Sequence, residues 1–181
     1  MRAIRSSILM SIPLLALSQI LACGDSGESV TSPAPPELNP QFTLGSGSSS
    51  TLLGRANFEK GENFKVQRIT GDWHVEVKAH KSLDLAVQQI VFQPGGYSGW
   101  HSHPGPVFIQ VVSGTMTFYK SDDPSCTPIV RTAGQGFLDV GEHAHIARNE
   151  TASPATNIVT YFAPPGAALR IDQPNPGNCP F

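Results

Sequence analysis

The feature that most restricts this chain is its rhythm of short apolar runs and turns. From Thr51 to Phe162, apolar residues recur at every second position, and the runs end at turns rich in Gly or Pro. No window of this region sustains the apolar stripe of a helix, so the pattern predicts strands with one buried face. Asp72–Lys78 alternates, and Leu83–Phe92 is a mostly apolar run that stops at Pro94-Gly95-Gly96. Pro106–Val112 and Thr115–Tyr119 flank Ser113-Gly114, a hairpin signal. Thr127–Arg131 and Phe137–Val140 flank Gly134-Gln135-Gly136, and His143–Arg148 and Ala155–Phe162 follow. Many short strands at regular spacing imply an all-β sandwich or barrel. The 17 glycines and 16 prolines in 181 residues agree, being too many for a helical bundle.

The ends of the chain differ from its middle. Met1–Cys23 opens with Arg2 and Arg5, continues through an apolar run and reaches Ala22-Cys23, which reads as a signal peptide over residues 1–22. Ile20-Leu21-Ala22-Cys23 resembles the bacterial lipobox, which implies acylation of Cys23 and an exported protein anchored at the cell envelope through an N-terminal lipid. Residues 23–50, rich in Gly, Ser and Pro and ending in GSGSSS, read as a flexible tether. Residues 51–181 then form the single domain with its C-terminal tail. A formal net charge of -2 leaves no basic excess to hold a phosphate backbone, so nucleic acid is excluded as a partner. In an exported chain Cys126 and Cys179 are expected to pair, a closure contributing roughly 3–4 kcal/mol in the chain-entropy account.

Chemistry is concentrated in Gly95–Gly114 and Gly134–Asn149. His101 and His103 stand two apart, so on a strand both rings project from one face. His145 lies on a later strand, with Asn149 beyond it. These segments resemble the two motifs of the cupin superfamily. Gly95, His101, His103 and Gly114 fall in register with the first motif, and Gly134, His145 and Asn149 with the second. The resemblance implies a double-stranded β-helix, the cupin jelly-roll barrel, with a metal inside held by His101, His103 and His145. It is compatible with one divalent transition ion, among Fe, Zn, Mn, Ni and Cu, because neutral imidazoles suit several of them. It also allows a homodimer.

Three positions depart from the family pattern: Val107 replaces the motif Glu, Val140 the Pro and Glu142 the Gly. By parity Val107, Ile109 and Val111 share the inward face and Gln110 points away. Adjacent strand residues face opposite sides, so one of Gln88 and Gln89 must point inward, where an unpaired amide is costly. Gln88, Gln89, Val107, Glu142, His143 and Asn149 are therefore pocket candidates, with Glu142 the one free base in view. His74 and His80 read as solvated, and Trp100, Phe108, Phe137, Tyr161 and Phe162 as barrel packing. The expected function is a metal-binding cupin acting on or holding a small molecule, with some family members being dioxygenases of thiols or diketones. A non-catalytic binding or structural barrel is the alternative, since fold does not fix function.

Overall fold

A computed structural model of the chain describes residues 42–59, 78 and 81–181. The signal peptide, Cys23, most of the tether, Asp72–Val77, His74 and His80 lie outside the described residues. Ten strands follow in chain order: β1 (Ser46–Phe58), β2 (Leu83–Tyr97), β3 (His101–Ser102), β4 (Val107–Ser113), β5 (Thr115–Lys120), β6 (Ile129–Thr132), β7 (Gly136–Asp139), β8 (His145–Arg148), β9 (Ala155–Ala163) and β10 (Ile171–Asp172). There is no helix among the described residues.

All pairings are antiparallel, and they form one bent sheet with two arms. One arm runs β1-β2-β9-β4-β7 and the other β10-β3-β8-β5-β6. The two meet where Tyr97, at the end of β2, pairs with Arg148 of β8. Burial follows the period of two: along β9 every second residue from Ala155 to Ala163 is buried. Side chains of both arms fill one dry core, including Val107, Val111, Met116 and Phe118. Phe118 and Phe137 stack there with ring centroids 4.4 Å apart.

Two readings of the sequence change. Ser113-Gly114 does not close a hairpin, because β4 pairs with β7 and β9, whereas β5 pairs with β6 and β8. The dipeptide is a corner at which the chain leaves one arm for the other. Gly114 sits at φ 74°, and a Cβ there would lie 2.7 Å from the Pro154 carbonyl oxygen. Position i+1 of this corner therefore accepts no side chain. A hairpin signal reports a tight turn and says nothing about which strand each flank will join.

The second change concerns the boundary at residue 50. Ser46–Ser50 are strand, paired with β2 from Tyr97 to Ile90. Phe42 bridges Pro174, and the Trp100 N–H donates to the Thr43 hydroxyl at 2.7 Å. Glycine here serves close approach rather than looseness: a Cβ on Gly47 would lie 2.9 Å from Cα of Gly96. The same Gly/Ser composition that suggests a flexible linker lets two backbones touch.

Candidate metal centre

The three motif histidines converge. His101 lies on β3, directly opposite His145 on β8, and His103 follows β3. All three are buried. One ring nitrogen from each lies within 4.8 Å of the others, and the ring centroids are 4.4 to 5.2 Å apart. The second nitrogen of each ring faces an oxygen. Nδ1 of His101 is 2.9 Å from the Gly99 carbonyl, and Nδ1 of His103 is 2.6 Å from the Leu169 carbonyl. Nδ1 of His145 is 2.8 Å from Oδ2 of Asp139. An imidazole that gives its Nδ1–H to an oxygen presents Nε2 as a free lone pair, the tautomer a metal requires.

Asp139 is the residue that sequence reasoning passed over. It is buried on β7, directly opposite Val107 of β4, and its carboxylate reaches His145 and comes within 3.9 Å of His103 Nε2. The position where the family motif carries Glu is thus apolar, while a carboxylate enters from the neighbouring strand. The signal was available in the alternation of β7, where Phe137 and Asp139 face inward and Leu138 outward. A charged residue at an inward position is the informative exception.

The electrostatics favour neutral rings at His101 and His103. Burial, and then the charges of His145, His103 and Arg170, hold His101 well below the ordinary histidine value. Burial and the charge of His145 push His103 down to about 4. Burial alone would raise the Asp139 carboxyl, but His145, the Gly141 N–H and His103 outweigh it and leave the group below its ordinary range. Within this cluster His103 Nε2, Asp139 Oδ2 and His145 Nδ1 are buried without a well-directed hydrogen bond. The contact between His145 and Asp139 therefore has the length of a hydrogen bond but not its alignment. His103 Nε2, the ring nitrogen not turned to a carbonyl, needs another partner, and a cation among the imidazoles would be one. The donor set fits a single transition ion.

Residues 88–161 match the sequence profile of the cupin domain. This stretch of the chain is a cupin domain. Solved structures similar to this cupin include an uncharacterized conserved protein with a double-stranded β-helix domain from Klebsiella pneumoniae. That match has 20% identity, covers 50% of this chain and 76% of the other, and has a TM-score of 0.43. The cupin domain of an XRE family transcriptional regulator from Enterobacter cloacae matches at 18% identity over 66% of this chain and 99% of that one, with a TM-score of 0.41. A DMSP lyase from Ruegeria pomeroyi matches at 18% identity over 48% of this chain and 42% of that one, with a TM-score of 0.42. No curated protein matches this cupin. A regulator domain and a lyase side by side assign no activity.

The barrel mouth opens beside the histidines into a cavity of about 510 Å³. His101 and His103 form its floor, Gln88, Ile90 and Phe92 one wall, and Ser48 and Ser50 of β1 another. Three residues assigned by composition to the tether, Gly45, Ser48 and Ser50, thus line the cavity. Of the two glutamines, Gln88 is the inward one: its Oε1 accepts from the Tyr161 hydroxyl at 2.9 Å, while Gln89 is exposed. Burial pushes the Tyr161 hydroxyl up to about 12, so it stays protonated and donates. Val107 is fully buried in the dry core.

The remaining candidates stand elsewhere. Glu142 and His143 are exposed, and His143 pairs loosely with Asp122 at 3.9 Å. Neither belongs to the cluster of converging ligand atoms. Asn149 is a structural knot. Its Nδ2 donates to the carbonyls of Phe92, Gln93 and Ser153, and its Oδ1 accepts from the N–H and hydroxyl of Thr151. Trp100, Phe137 and Tyr161 are buried, whereas Phe108 is exposed and meets Phe162 edge-on at 5.7 Å on the outer face.

Proposed function

We propose that this cupin is a metal-dependent enzyme of oxygenase type acting on a small molecule, working at a cell envelope to which Cys23 anchors it. The observation that carries the metal is the convergence of three buried imidazoles, two of them turned by carbonyl oxygens at Nδ1 and the third with the Asp139 carboxylate 2.8 Å from its Nδ1. Here His101, His103 and His145 would hold the ion, and the ion would supply Lewis-acid or redox chemistry beside the cavity. Asp139 would orient His145, and Gln88 with Tyr161 would fix a polar group of the substrate. Among the described residues no carboxylate lines the cavity, and its Tyr161 hydroxyl is held protonated. Such a lining lacks a free general base, which favours chemistry led by the ion over proton abstraction by a side chain. Export is supported by the Cys126–Cys179 disulfide, a bond at home in oxidising compartments.

The test is elemental analysis of the purified full chain. We expect close to one transition ion per chain, and its loss in His103→Ala. Equal metal in wild type and His103→Ala would overturn the metal site. O₂ uptake with Fe(II) and a panel of small thiols, diketones and phenols reads the activity. Thermal stabilisation by a compound without uptake would replace the enzyme by a binding barrel.

A further inference from the structure

Beside its neutral histidines the cavity has one charged wall. Among the described residues that line it, Arg170 alone carries a permanent charge. It immediately precedes β10, which pairs with β3, so Asp172 lies opposite His101. The preceding carbonyl, that of Leu169, faces Nδ1 of His103. The backbone before Arg170 is thereby fixed to the histidine cluster. Its side chain has one partner among the described residues, Asp172, to whose Oδ1 Nε donates at 2.6 Å. Asp172 occupies that edge of the guanidinium only. Nη2 is buried and has no acceptor. A guanidinium carries five N–H donors in a rigid fork, and with Nε held by Asp172 its Nη end is the part left to answer a ligand in the cavity.

We propose that Arg170 makes the cavity a receptor for a small carboxylate, gripping its two oxygens while the rest of the molecule lies toward the three histidines. The inference rests on the reading above, that this cavity is the small-molecule site. A carboxylate fits better than a phosphate, because a single guanidinium matches two oxygens in one plane and the described lining offers no second cation. Ile90, Phe92 and Leu169 give the ligand an apolar bed. Gln88, with its carbonyl occupied by Tyr161, has N–H groups to offer a further acceptor. Arg170 is thus a specificity residue, selecting anionic substrates from neutral ones of the same shape.

Benzoate, its neutral isostere benzamide and inorganic phosphate are the probes, titrated calorimetrically into the full chain, metal-free and metal-loaded. We expect benzoate to bind both forms and benzamide to bind at least about tenfold more weakly, the worth of a charge-assisted contact. Arg170→Gln should lose benzoate affinity by a similar factor while keeping its metal content and its affinity for benzamide. Arg170→Lys, which retains the charge but not the fork, should fall between. Absence of benzoate binding, equal binding of benzamide, a preference for phosphate, or unchanged benzoate affinity in Arg170→Gln would each overturn the proposal. Because the metal-free chain is titrated too, failure to retain metal would sink the reading of the site without touching this result.

Discussion

The two arms of the sheet are built differently. The arm β1-β2-β9-β4-β7 contains strands of 13, 15 and 9 residues, locked in register over most of their length. The arm β10-β3-β8-β5-β6 has strands of 2, 2 and 4 residues at its ligand-bearing end. Yet all three histidines belong to the short-stranded side. A ladder of two residues orders little by itself, so this arm is held by side chains and crosslinks. The Cys126–Cys179 bond ties the C-terminal tail to the loop between β5 and β6. Asn178 donates to the carbonyls of Lys120 and Asp123, and Phe181 lies between Tyr119 and Arg148. The long arm supplies rigidity and the cavity wall, while the short arm supplies ligands on a stapled edge. Sites that must open to a ligand are drawn from such weakly laddered regions.

The largest effect should come from removing the staple. Replacing Cys126 and Cys179 by Ser releases a loop with sequence separation 53. On the chain-entropy account this costs about 4 kcal/mol of stability, measurable by urea unfolding. The comparison adds a sharper expectation. Hydrogen exchange should accelerate in β3, β8 and β10 well before it does in β2 and β9. Uniform acceleration across both arms would break the distinction between them.

Next in size is the contact between the arms. Asp139 belongs to the long arm and His145 to the short one, and they meet at 2.8 Å. Asp139→Asn keeps the shape but removes the charge behind the ligand. Loss of a carboxylate that orients a ligating histidine typically weakens metal binding by about 10–100-fold. Competition with a chelator measures it. Val107 lies opposite position 139, so Val107→Glu added to Asp139→Asn should recover part of the loss by restoring a carboxylate next door. Unchanged affinity in Asp139→Asn would mean that the short arm orients its histidines alone.

The short arm's ligands were legible in the sequence, because His-x-His and a spaced third histidine are local signals that survive without knowledge of pairing. Inward parity was legible too: Val107, Ile109 and Val111 are buried and Gln110 is exposed. Pairing was not. Asp139 becomes a site residue only because β7 lies beside β4, and nothing in the chain between Gly136 and Asp139 announces that neighbour. Ser113-Gly114 and the Gly/Ser run before Thr51 failed for a related reason. Glycine marks both a free backbone and a backbone pressed against another, and only the partner strand distinguishes them. Arg170 escaped notice because it stands outside every motif, in a segment placed by the Leu169 carbonyl.

The smallest effect tests the long arm and should leave the metal untouched. Asp84 on β2 accepts from Arg55 Nε at 2.6 Å, Asn57 Nδ2 at 2.7 Å and the Gly166 N–H at 2.9 Å. It therefore ties β1 and the turn after β9 to β2, away from the cavity lining. The Asn57 amide and the Gly166 N–H, opposed by burial and aided by Arg55, lower its carboxyl to about 2. In the unfolded chain the same group titrates near 3.9, so the folded form binds its proton less readily. The sign follows: the ionised carboxylate stabilises the fold fully above about pH 5, and that contribution fades as the pH falls toward 2. Asp84→Asn should thus be less stable than wild type at neutral pH, with the gap closing on acidification. Urea midpoints across a pH series read the gap directly. Metal affinity should not change, since the long arm holds the wall and not the ligands. A gap that persists to the acid end would mean that shape, rather than charge, joins β1 to β2 at this point.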